Sequence, residues 1–182
     1  RRQRQMCIRD RHKQPTFIQQ NTLFGMLIGC CCVAASYVFF KQTGNIYANP
    51  SLDRIITFLF VIGLFMQIRR YRESEELKGY ISYGRALLTG MYLSAVAGFF
   101  YGSYALIIYS KHPDTLENYL MYAESLFRQL YPESPWADNM IQMLQAFTTP
   151  VSMGITEFFS KALMGLIYTL VIAFILKKRK PE

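Results

Sequence analysis

Histidine is nearly missing from this chain: only His12 and His112 occur among 182 residues. No His-Glu-x-x-His zinc pair, no phosphate loop ending in Gly-Lys-Ser/Thr and no nucleophile elbow can be found. Gly79-x-x-x-x-Gly84-Arg85 lacks the lysine and hydroxyl that a phosphate site needs. An intramembrane aspartyl protease requires two aspartates sharing a proton, and Asp53 alone stands near a span, at its edge. These absences argue against an enzyme and predict neither cofactor nor metal. Cysteine is also sparse. Apart from Cys7 there are only Cys30, Cys31 and Cys32, consecutive in an apolar run. Neighbours on one helix cannot pair without distortion, so neither a disulfide framework nor metal spacing exists, and packing is the expected role. Leu27-Ile28-Gly29-Cys30 superficially matches a lipoprotein cleavage box, but apolar sequence continues to Phe40 where a lipoprotein turns polar. Charge is the third scarcity. Charged residues make up 18% of the chain against 52% hydrophobic, and they cluster in short blocks instead of alternating along amphipathic helices.

The first block is a special case. Residues 1–11, Arg1-Arg2-Gln3-Arg4-Gln5-Met6-Cys7-Ile8-Arg9-Asp10-Arg11, read as an in-frame translation of a common transposase sequencing adapter, through Asp10 and into Arg11. They are therefore expected to be non-native, leaving 12–182 as a single four-helix membrane domain whose authentic N-terminus is truncated. Removing five arginines and one aspartate lowers the formal net charge from +8 to +4. With that, nucleic acid loses its main support as a partner.

What remains is long apolar runs. Four segments have about the length needed to cross ~30 Å of hydrocarbon: residues 22–40, 51–69, 81–109 and 150–176. The second is the weakest, since Ile55 to Ile68 is short and relies on Asp53, Arg54 and Arg69-Arg70-Tyr71-Arg72 snorkelling at its ends. Phe99, Phe100, Tyr101, Tyr104 and Tyr109 gather toward the end of the third, as in an interfacial belt. Between the third and fourth spans, Asp114-Thr115-Leu116-Glu117 reads as a capping box. Leu116, Leu120, Ala123, Phe127 and Leu130 follow at helical spacing. A second short helix is expected from Ser134-Pro135, with Met140, Met143, Leu144 and Phe147 on one face. The expected fold is all-α: a bundle of four transmembrane helices with short amphipathic helices in the third, external loop, lying on the membrane or capping the bundle.

Lysine and arginine counts predict orientation. Arg69, Arg70, Arg72 and Lys78 crowd the second loop, and Lys177, Lys178, Arg179 and Lys180 the C-terminal end. The first loop holds only Lys41 and Arg54, and the third has Lys111 and Arg128 against five acids. Four spans put the two rich segments on one side, the cytoplasm, giving N-in/C-in topology. The same basic clusters attract anionic headgroups, each charge contributing about 1 kcal/mol near the surface.

With the segments placed, the chain resembles a bacterial membrane family known as domain of unknown function 4199, over roughly residues 20–180. The resemblance rests on Arg70-Tyr71-Arg72-Glu73, then Gly79-Tyr80-Ile81-Ser82-Tyr83-Gly84-Arg85-Ala86, Pro113, Thr149-Pro150 and the lysine-rich end. Arg85 departs from the acidic residue that family members often carry after the Ser-Phe/Tyr-Gly step. The resemblance implies a multi-pass protein of the bacterial inner membrane and supplies no activity.

Two sets of residues stand out as candidates. Glu157 and Lys161 share a helix face in the favourable order, and ionisable groups inside a span are functional by default. Counting back ~20 residues from Lys177 puts them near the outer boundary, where an interfacial pair with Lys161 snorkelling outward is expected, ahead of a buried site. Ala86, Gly90, Ser94, Gly98 and Gly102 recur every fourth residue in the third span, leaving a nearly bare face. Gly25 and Gly29 in the first span, and Gly165, Thr169 and Ala173 in the fourth, offer matching small surfaces for close backbone approach. Val96 lies on another face, where a leucine is expected to be tolerated. The leading functional expectation is a non-enzymatic structural or interaction component. The lipid bilayer is its partner, joined by other membrane proteins or further copies of itself. The alternative is a small transporter or channel subunit using Glu157 and Lys161.

Overall fold

The structure, a computed structural model, describes residues 17–44, 46, 50–132 and 134–178. Residues 1–16, together with Arg179 and Lys180, lie outside that set, and with them the adapter-like segment and half of the C-terminal basic cluster. Six helices follow in order: α1 (Phe17–Thr43), α2 (Pro50–Arg72), α3 (Tyr83–Lys111), α4 (Pro113–Leu130), α5 (Pro135–Phe147) and α6 (Pro150–Leu176). Among the described residues there is no strand; one antiparallel bridge pairs Ile81 with Lys178. Helices α1, α2, α3 and α6 are each long and apolar enough to cross a membrane. The 27 residues of α1 rise about 40 Å, and its ends extend past 22–40 at both sides because the flanking turns stay helical.

Local chemistry sets the helix ends. Gly44, at φ +72°, donates its N–H to Phe40 O at 2.8 Å, the left-handed stop that closes α1 without a Cβ clash. The Ser82 hydroxyl accepts from Arg85 N and starts α3. At α6, Thr149 and Ser152 cap each other reciprocally ahead of Pro150. The capping box expected at Asp114–Glu117 does not form. Pro113, with φ already helical, starts α4 two residues earlier than that box would, and His112 takes the cap position without a side-chain bond.

Helix α3 is the centre of the bundle. It packs most extensively on α6 and next on α1, while α2 closes the remaining side against α1 and α6. In α2 the buried residues Leu52, Ile56, Phe60, Leu64 and Ile68 form a ridge of every fourth residue. They meet Ile28 and Cys32 of α1, Leu93, Ala97 and Tyr101 of α3, and Ile172, Ala173 and Leu176 of α6. The outward surface of the spans is at least as apolar: Val151, Ile155, Phe159, Leu163, Ile167, Val171 and Ile175 of α6 are all exposed. The interior instead holds Asn21, Ser36, Gln67, Thr89, Ser94 and Thr169 fully buried. That inversion suits hydrocarbon as solvent, where small and polar groups gain by meeting each other and large apolar ones lose nothing outside.

The α2–α3 loop and the end of α6 lie together. Ile81 and Lys178 exchange backbone bonds of 3.1 and 2.9 Å, and Arg72 Nη1 donates to Leu176 O at 3.5 Å. Arg69, Arg70 and Arg72 therefore share one end of the bundle with Lys177 and Lys178.

A charged pair held against the bundle interior

Small residues bring the helices close enough to build an interior site. A Cβ added at Gly102 would lie 2.6 Å from Gly154 O, and one at Gly98 would lie 3.0 Å from Phe158 O. A Cβ at Gly90 would overlap the Thr169 side chain, and one at Gly165 the Ser94 hydroxyl. The bare face of α3 is thus occupied by α6, and Ala86 is fully buried beside it. Gly25 and Gly29 of α1 meet α3 elsewhere: their added Cβ atoms would stand 2.8 Å from Val96 Cβ and 2.9 Å from Phe100 Cβ. Val96 consequently faces α1, and the tolerance expected for a larger residue there is corrected by this contact.

Close α3–α6 packing positions Glu157 and Lys161. Their charges are 3.7 Å apart, with 26% and 18% of the respective side chains exposed. Lys161 turns toward α3. Its ammonium sits 4.7 Å from the centre of the Tyr101 ring, where the electron-rich face takes the place of water. Tyr101 is buried, and its hydroxyl donates to Ser36 Oγ of α1 at 3.3 Å. Tyr104 stacks at 6.0 Å from Tyr101, and its buried hydroxyl has no partner among the described residues. Three helices thereby surround one carboxylate, one ammonium and three hydroxyls. Such a group can exchange a proton or a counter-ion, because opening the pair leaves each charge in need of a substitute.

Sequence reasoning missed the tyrosines. Tyr101 and Tyr109 were expected in an interfacial belt; both are buried, because they flank the small residues Gly102 and Ala105 and follow α3 inward. It also missed a second interior pair. Gln67 donates to Asn21 Oδ1 at 2.9 Å, and Asn21 donates to Phe17 O at 2.9 Å, while Gln67 Oε1 is buried without a partner among the described residues. The available signal was an amide on each of two helices close to the same end of the bundle.

At the basic end the charges are partly matched. Arg69 and Arg72 lie 3.1 and 3.3 Å from Glu73, and their hydrogen bonds hold its exposed carboxyl below the usual carboxylate range. Arg70 covers the Phe24 ring and Lys177 the Phe174 ring. Arg85 pairs with Glu76 at 3.6 Å. Among the described residues no group of three or more His, Cys, Asp or Glu is placed to hold a metal ion. Cys30 and Cys31 are exposed thiols and Cys32 a buried one.

No curated protein and no solved structure matches this chain. Residues 23–178 match the family described as "Protein of unknown function (DUF4199)", and since that covers most of the chain, the protein belongs to the DUF4199 family.

Proposed function

We propose that this is a non-enzymatic, multi-pass protein of the bacterial cytoplasmic membrane, with both termini in the cytoplasm. Its working part is the Glu157–Lys161 pair, acting in a small transporter or channel component that handles protons or small ions. The observation that carries this reading is the position of Lys161 on the buried Tyr101 ring, within the long apolar helix α6. Evolution rarely maintains such charges in a bilayer without use, because each costs roughly 2.5–3.5 kcal/mol at mid-helix even on insertion scales. A purely structural or interaction role ranked first on sequence. Its best support was the bare face of α3 as a docking surface, and α6 already covers that face. The shared end of Arg69, Arg70, Arg72, Lys177 and Lys178 supports the cytoplasmic orientation.

The test is ion flux in proteoliposomes carrying a pH-sensitive dye. Wild-type protein is expected to dissipate an imposed proton or ion gradient faster than protein-free vesicles. Glu157→Gln and Lys161→Met are expected to return the rate to background while remaining monodisperse in detergent. A wild-type rate equal to that of empty vesicles would sink the transport reading and leave the structural one.

A further inference from the structure

Helices α4 and α5 carry an apolar surface that the bundle leaves uncovered. On α4, Leu126 and Leu130 are exposed, on the arc opposite Glu117, Glu124 and Arg128. On α5, Trp136, Met143 and Phe147 fall within one narrow arc of the helix and are 51%, 55% and 69% exposed. We propose that this surface lies in the outer headgroup region of the same bilayer that holds the bundle, with its apolar side chains in the lipid. The occupant is the neutral, apolar boundary of the membrane; no protein is needed to cover it. This inference is independent of the role assigned to Glu157 and Lys161.

Three observations on the molecule select lipid. First, the connections are too short to lift the bases of α4 and α5 off the membrane. His112 alone separates α3 from α4, and Thr148 and Thr149 alone separate α5 from α6. The base of α4 is also tied down, with the Thr115 hydroxyl donating to Gly44 O and the His112 ring tilted against Phe40 at 5.0 Å. Second, the exposed surface is continuous with the lipid-facing row of α6. Met143, Phe147, Val151, Ile155 and Phe159 recur every fourth residue across the α5–α6 joint, and every one is exposed. Third, the charge is wrong for anionic headgroups. Asp114, Glu117, Glu124 and Asp138 outnumber Arg128, which already pairs with Glu124 and Asp138. Binding must therefore come from buried apolar area alone, unlike the lysine-rich interfacial helices that seek anionic lipid.

The chain contains a single tryptophan, so Trp136 emission reports this surface alone. The full chain is reconstituted at one copy per phosphatidylcholine nanodisc, with plain or acyl-brominated lipid. Brominated lipid is expected to lower the emission by about half or more, as for a side chain at the headgroup–acyl boundary. Acrylamide is expected to quench little, and added phosphatidylglycerol to leave the bromine effect unchanged. Leu126→Glu, on α4 away from the Tyr131–Trp136 ring contact, is expected to weaken bromine quenching without loss of helix content. Emission indifferent to bromine and open to acrylamide overturns the proposal, and means that the surface stands in water for a protein partner. Bromine quenching that requires phosphatidylglycerol, or protection that requires two copies per disc, overturns it equally. Should the variant fail to fold, the wild-type measurement decides alone.

Discussion

Gln67 donates a hydrogen bond from its side-chain amide to that of Asn21 between the helices, of a kind that water would make nearly neutral and hydrocarbon makes useful. Its worth is bounded, since coupling energies inside membrane proteins average about 0.6 kcal/mol and reach ~1.7. A double-mutant cycle of Asn21→Val and Gln67→Met, followed by reversible unfolding in mixed micelles, is expected to return a coupling in that range. Each single variant should cost more than the pair predicts, because it strands a buried amide. Strict additivity would show that the two amides are independently solvated. Lys161 likewise meets its partner ring only in the folded bundle. From spacing alone, its long stem permits an outward position; the Tyr101 ring that draws it inward belongs to another helix and has no signature near position 161.

The α3–α6 contact is the element on which the bundle depends. Gly102 and Gly154 face each other backbone to backbone, and dispersion over such a close contact substitutes for the hydrophobic drive that lipid removes. Gly102→Leu is expected to force the helices apart at a cost of about 1–3 kcal/mol or more, as for overpacked cores. Leu88→Phe, at an exposed position of the same helix, is expected to leave stability unchanged. Thermal aggregation in detergent reads the difference, and equal melting points for the two would mean that the α3–α6 contact carries no stability. The period of small residues was readable in advance, since composition at every fourth position is a local property. Its partner was not. Gly25 and Gly29 looked equally suitable for it, yet they meet Val96 and Phe100 on a different side of α3.

Topology is the testable statement for the whole molecule. In a background lacking the native cysteines, Asn118→Cys on α4 is expected to react with an impermeant maleimide in intact bacteria. Glu75→Cys in the α2–α3 loop is expected to react only after lysis. The reverse pattern would overturn the orientation that follows from Arg69, Arg70, Arg72, Lys177 and Lys178. Sequence by itself determined that four helices are long and apolar enough to span, because an apolar run of bilayer length with few charges is helical in lipid. It also determined family membership, since residues 23–178 match the family. Only the tertiary structure decided which faces of those helices look inward. Every side of a lipid-embedded helix is apolar, so no amphipathic stripe marks the buried one. The choice falls to small-residue fit and to scattered polar contacts such as Asn21–Gln67 and Lys161–Tyr101. Both arise between segments far apart in the chain, and neither exists until the bundle has formed.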